Sequence, residues 1–247
     1  MAIRLIKRER PSPDAMTLAE HLGELRRRLV ISAIAFVIAG TFAAIFYNQM
    51  LHWLQRPYCQ INPRNCFLYV TSPLDGLSLR VKMAAFGGLV LASPVILFQV
   101  WRFITPGLRT REKQYAIPFV LAAVVLFVAG CAVAYLTLPH ALGFLKAVGG
   151  EQLKLIYNPI SYLGLVLVMM LLFGLTFEFP VVLVALQLVR VVTPAQLLHF
   201  WRYSVIGITL VAAIFTPSSD PFSMLALALP LVVFYFLAIG IGKLLGR

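Results

Sequence analysis

The sequence predicts an all-α, polytopic membrane protein with six transmembrane helices, led by an amphipathic helix at the membrane interface. Three observations carry this. Hydrophobic residues make up 61% of the 247 and charged residues only 12%, against roughly half and a quarter in a soluble domain. The apolar residues fall in long runs, near the roughly 20 that cross a bilayer as a helix. Lysine and arginine collect in alternate connecting segments, the pattern of cytoplasmic loops. Backbone groups in hydrocarbon must bond within their own segment, so the runs are read as helices and not strands.

Residues 1–16 form a basic, proline-interrupted tail, expected to be mobile. Thr17-Leu18-Ala19-Glu20 fits a capping box. Leu18, Leu22, Leu25 and Leu29 then recur on one helical face, predicting an amphipathic helix on the membrane surface that runs into span 1, Leu29–Tyr47. Asn48–Leu79 is long for a loop and is expected to have structure of its own. Span 2 is Val81–Ile104, with Pro94 as a kink. Span 3 is Tyr115–Leu138, followed by a loop at Pro139–Pro159. Span 4 is Ile160–Val189. Span 5, Tyr203–Phe215, would reach only about 20 Å against a core of about 30 Å. A tight turn at Thr216–Pro221 leads to span 6, Phe222–Ile241. Residues 17–243 are taken as one transmembrane domain and 244–247 as a C-terminal tail.

Orientation follows from the cations. With the N-terminus inside, fifteen Lys and Arg fall on inside segments and six on outside segments (Arg56, Arg64, Arg80, Lys82, Lys146, Lys154). Both termini are therefore expected in the cytoplasm and the chain in the inner, or plasma, membrane. The first span is too long for the apolar core of a signal peptide and is expected to stay in the mature protein.

The net charge of +12 is accounted for by these loops, and no aromatic-interleaved basic groove suggests nucleic acid. No P-loop or HExxH helix is present, and Gly76-Leu77-Ser78 lacks the glycine that would complete a nucleophile elbow. His21, His52, His140 and His199 are scattered and read as interfacial. No enzymatic activity, cofactor or metal is expected.

The nine acidic residues are more informative. Glu24 and Glu112 lie among arginines on the predicted cytoplasmic side. Two readings stay open for them: pairing within their own helices, Glu24 with Arg27 or Arg28 and Glu112 with Arg109, or a carboxylate pair that receives guanidinium groups. Glu178 sits in mid-span, where an ionisable group is costly and by default marks function. Pro180 removes the bond to the Thr176 carbonyl, so Thr176, Glu178 and Pro180 form a polar, distorted patch. A hydrogen-bonded structural glutamate is the alternative. Cys59 and Cys66 lie on the predicted outside and are expected to form a disulfide, with a chain-entropy contribution of roughly 2.5 kcal/mol for so short a loop. Cys131, within span 3, is expected to be a free, buried thiol.

These residues form a pattern. His21-Leu22-Gly23-Glu24-Leu25-Arg26-Arg27-Arg28-Leu29 resembles the N-terminal motif of the TatC family of the twin-arginine protein translocase. Ser93-Pro94-Val95-Ile96-Leu97-Phe98-Gln99-Val100-Trp101, with Phe103, Pro106, Leu108 and Glu112, resembles its second-span and loop signature. Phe173-Gly174, Phe177-Glu178 and Pro180-Val181 resemble its fourth-span motif, and Thr216–Pro221 its last outside turn. The four match in order from Thr17 to Lys243.

The resemblance implies a concave, glove-like bundle that receives folded precursors through paired-arginine signal peptides. It also implies work with the single-span subunits TatA and TatB, with further copies of itself, and with proton-motive force. By the same resemblance, Glu24, Glu112, Phe103 and Arg26 belong to the signal-peptide site, and Glu178 with Thr176 to the concave face. Pro57, Thr216, Asp220 and Met224 fall at the outside loop and partner contact. Met224 stands where the family often has glutamine, which puts the polar details of partner docking in question. A proton-coupled secondary transporter using Glu178 is the second reading. It lacks the repeated halves and paired broken helices of such folds.

Overall fold

The computed structural model describes residues 18–63, 66–104, 116–150, 157–216 and 220–244. Among the described residues there are nine α-helices and no strand: α1 Leu18–Ile45, α2 Tyr47–Ile61, α3 Asp75–Ile104, α4 Ala116–Gly149, α5 Pro159–Phe177, α6 Phe179–Leu188, α7 Pro194–His199, α8 Trp201–Phe215 and α9 Pro221–Leu244. Five stretches are long and apolar enough to cross a membrane: α1, α3, α4, α5 with α6, and α9. The sixth crossing is α8, whose 15 residues reach about 22 Å at 1.5 Å per residue. The chain is a multi-pass membrane protein.

Several boundaries depart from the sequence reading, but the N-terminal helix runs into span 1 as expected, the two forming one uninterrupted helix, α1. Its Leu22, Leu25 and Leu29 are exposed, as a lipid-facing stripe must be. The expected cap at Thr17 lies outside the described residues, as do the N-terminal tail and residues 245–247.

The segment read as the first outside loop contains helix α2, so Pro57 sits inside a helix, buried with Leu54 and Tyr58. Pro57 cannot donate to the Trp53 carbonyl. The Tyr135 hydroxyl of α4 donates to that oxygen instead, at 2.9 Å, while its ring stacks on Trp53 with centroids 4.0 Å apart. The helix break is thus satisfied from a neighbour. Tyr135→Phe is expected to cost about 1 kcal/mol, read as a lower unfolding midpoint in detergent; an unchanged midpoint would remove this role. A disulfide joins Cys59 of α2 to Cys66, with Cα atoms 4.9 Å apart.

The segment Pro139–Gly149, read as a loop, continues α4. Pro139 does not stop the helix because Leu138, Ala141 and Leu142 bury against the core and His140 stacks on Phe222 of α9. Arg80 and Lys82 likewise lie within α3 rather than in a loop.

The N-terminal ends of α3 and α5 are tied by polar caps. The Asp75 carboxylate accepts from the Thr71 and Ser72 backbone N–H groups and from the Asn158 side chain at 2.9 Å. Asn158 in turn caps α5 by accepting from Ile160 N–H at 2.7 Å.

Two helix pairs approach closely enough that only glycine fits. A Cβ on Gly88 would come 2.6 Å from the Gly40 Cα, where α3 crosses α1. A Cβ on Gly130 would come 2.6 Å from the Phe173 carbonyl oxygen, and one on Gly174 would meet the Phe127 ring at 2.8 Å, where α4 crosses α5. Small residues at such crossings let backbones pack directly in lipid, where no hydrophobic drive exists between helices. Cys131 at this crossing is a free, buried thiol donating to the Met170 carbonyl.

Candidate functional site

Two surfaces gather the polar residues singled out by sequence. The first is a small cleft between α1 and α3, at the end of the bundle that carries the N-terminus. Glu24, Arg27, Arg28 and Ile31 of α1 line it, with Gln99 and Arg102 of α3. It exists because α1 lies along α3 and the polar residues Glu24, Arg27 and Arg28 share one helical face with Ile31. Arg28 pairs with the Oε1 atom of Glu24 one turn back, the intrahelical arrangement that i, i+4 spacing favours. The Arg28 guanidinium also reaches the Gln99 side chain across the helices at 3.5 Å.

Three arginines against one glutamate leave the described lining at a formal +2 (3 − 1). Phe103 follows Arg102 in the last turn of α3 and is half-buried. Arg26 is exposed and is not among the residues lining the cleft. Glu112 lies outside the described residues. Trp101 fixes the C-terminal end of α3, buried against Phe119 of α4 with ring centroids 3.8 Å apart.

The second surface surrounds Glu178. The fourth span is broken there: α5 ends at Phe177 and α6 begins at Phe179, with Pro180 in its first turn. The Glu178 N–H bonds to the Leu175 carbonyl at 3.1 Å, one residue tighter than an α-helical bond. The proline two residues later, unable to donate, is the physical reason. Glu178 and Thr176 line an open groove of about 490 Å³ whose opposite wall is α8, with Ser204, Gly207 and Ile208. The walls are otherwise almost wholly apolar. Thr176 donates to Leu172 of its own helix. Oε1 of Glu178 is buried and has no hydrogen-bond partner among the described residues.

The remaining candidates are structural in their contacts. Thr216 is 2% exposed and donates to the Ala212 carbonyl, closing α8. Asp220 is 1% exposed and accepts from the Ser223 N–H, capping α9. Met224 is half-buried against the main core.

Sequence reasoning missed the roles of Gln99 and Ser204. Gln99 was legible as a polar residue in an otherwise apolar turn of span 2. Ser204 carried no signal, since its place on the groove that Glu178 lines depends on which helices are neighbours. No group of histidine, cysteine or carboxylate side chains among the described residues could hold a metal ion.

Comparison with known proteins follows the same lines. A family model described as Sec-independent protein translocase protein (TatC) matches residues 20–230. A protein of Frankia casuarinae named Sec-independent protein translocase protein TatC is 40% identical, the alignment covering 98% of this chain and 70% of that protein. Its Aquifex aeolicus namesake is 39% identical, over 94% of this chain and 97% of the relative. A crystal structure described as that of the twin-arginine translocase receptor TatC in DDM superposes with a TM-score of 0.76 at 37% identity, over 90% of this chain and 99% of that one.

Proposed function

The chain belongs to the TatC family of Sec-independent protein translocase proteins, and from that premise we propose that it is the signal-peptide receptor and core scaffold of its translocase. It binds the paired arginines of folded precursors on the cytoplasmic side. It sits in the inner membrane with both termini in the cytoplasm, and it assembles with TatA, TatB and further copies of itself for export driven by proton-motive force. The observation that carries this reading is the α1–α3 cleft, where Glu24 stands at the end of α3 from which residues 105–115, with Glu112, continue.

The electrostatics define the task. A lining at +2 repels a dicationic peptide, and Arg28 already engages Glu24. A second carboxylate is therefore needed, and Glu112 on the adjoining segment supplies it. Arginine is preferred over lysine because its planar fork bonds a carboxylate bidentately. Phe103, in the last turn of α3, borders the site, and Arg26 serves it from the outer face of α1.

The test is binding of a twin-arginine peptide by the purified chain. Replacing both peptide arginines with lysine should abolish binding at low salt. Equal binding of the lysine peptide would overturn the reading in favour of a nonspecific surface. The same experiment separates it from a proton-coupled transporter, which has no reason to bind the peptide.

Glu178 serves transport through the groove between α5, α6 and α8, where it offers a polar point in an apolar surface. Glu178→Ala is expected to lower precursor export strongly while leaving the amount of inserted chain near wild type, and Glu178→Gln to be milder. Export assays normalised to membrane content decide this. Loss of the chain from the membrane in the alanine variant would make Glu178 a folding residue instead.

A further inference from the structure

A third surface is used by neither proposed site. Lys82 lies two turns into α3 and is exposed. It stands at one mouth of a groove of about 490 Å³ between α1, α3 and α5, whose walls include Phe36, Phe86, Gly164, Leu167 and Leu171. A Cβ added to Gly164 would come 4.0 Å from the Lys82 Nζ atom, so the amine lies across the glycine. Among the described residues Lys82 has no acidic partner: the one ion pair there is Arg28–Glu24. Asp75, two turns back, is turned to Thr71, Ser72 and Asn158.

Depth identifies what the groove suits. Arg80, two residues before Lys82, stacks over the Tyr47 ring at 4.8 Å. Tyr162, two residues before Gly164, packs in a cluster with Tyr58 and Tyr157. Tyrosines gathered at one end of a bundle mark the headgroup level of a bilayer, so Lys82 sits at that level. From Lys82 to Leu89 on α3, and from Gly164 to Leu171 on α5, the groove descends seven residues, about 10 Å toward mid-membrane. A single cation at headgroup depth above an apolar channel matches a phosphate above an acyl chain.

We propose that the groove between α1, α3 and α5 is a phospholipid site selective for anionic headgroups, with Lys82 holding the phosphate and Gly164 admitting the first acyl carbons. A partner helix is the less suited occupant, since below Lys82 the lining supplies no polar side chain to orient it.

The full-length chain in vesicles of equal phosphatidylethanolamine and phosphatidylglycerol tests this, with retained lipids counted by native mass spectrometry after detergent release. Wild type should retain phosphatidylglycerol in preference. Lys82→Gln should lower that preference about fivefold, the scale of one lysine at an anionic surface, and Lys82→Arg should keep it. Lys146→Gln, an exposed lysine at the same end, should change nothing. Gly164→Leu should lower retention of both lipids by filling the channel, and Ala85→Phe, at a position of the same wall, does so if the first variant folds poorly. An unchanged preference in Lys82→Gln overturns the proposal, as does undiminished retention in both filled variants. Loss of a co-purifying single-span subunit in Lys82→Gln, with lipid retention intact, would assign the cation to a helix carboxylate and also overturn it.

Discussion

Glu24→Ala is expected to weaken binding of a twin-arginine peptide tenfold or more. A hydrogen bond to a charged partner contributes about 1.5–3 kcal/mol, and each ~1.4 kcal/mol is tenfold in affinity. The cleft adds to this. Removing its one described carboxylate leaves Arg27, Arg28 and Arg102 at a formal +3, facing a guest that carries two more positive charges. It also strips Arg28 of its partner. Glu24→Gln keeps the shape and an acceptor but not the charge, so it separates the two contributions: a purely geometric site would tolerate it. Glu112→Ala should produce a loss of similar size if the two carboxylates share one peptide. Isothermal titration at low salt, on variants that insert normally, is the measurement. Unchanged affinity for both alanine variants would leave the Glu24–Arg28 pair as a helix-stabilising contact and nothing more.

Gly130→Val is expected to have the largest effect on folding. The added Cβ would lie 2.6 Å from the Phe173 carbonyl oxygen and 2.9 Å from the Gly174 Cα. Backbone on both sides cannot swing away as a side chain can, so α4 and α5 must separate. Overpacking costs about 1–3 kcal/mol where neighbours can adjust and more where they cannot, and separation also exposes the bond from Cys131 to Met170. Gly143 on the same helix gives the matched control, since an added Cβ there meets nothing within 4 Å. Gly143→Ala should be neutral or slightly stabilising, because glycine in a helix interior costs about 1 kcal/mol relative to alanine. Unfolding midpoints in one detergent compare the two. Equal midpoints would mean the α4–α5 crossing is softer than its geometry.

What the sequence made legible follows from which signals are local. Runs of apolar residues located the five long crossings and the short one, because span length is a property of the run itself. The break at Glu178 was legible because Pro180 cannot donate, whatever surrounds it. Helix α2 was expected only as unspecified structure: its residues mix Trp53, Leu54 and Tyr58 with His52, Gln55 and Arg56, so no apolar run announces it. The continuation of α4 through Pro139 was misread because the proline penalty is local while the burial of Leu138, Ala141 and Leu142 that outweighs it is not.

At the candidate sites the same division holds. Glu24 stands out as a rare carboxylate among arginines, and Glu178 as a rare charge in an apolar span. That Arg28 reaches Gln99, or that Ser204 lines the same groove as Glu178, depends on which helices are neighbours, and no spacing within one segment encodes it.

The glycine crossings have a mechanical consequence for the Glu178 groove. Where two backbones touch, no rotamer can change to let one helix slide past the other. The α1–α3 and α4–α5 pairs therefore behave as braced struts. Helix α8 is held differently: of its fifteen residues only Ile208 and Ala212 are buried, and its glycine, Gly207, has nothing within 4 Å of an added Cβ. One side of the groove, α5, is anchored to a strut, while the other is a short helix with two buried side chains and a ring contact from Trp201 to Phe236 of α9. Any guest that widens the groove will do so by displacing α8, at low elastic cost, while Glu178 stays fixed in position as the reference point of the opening.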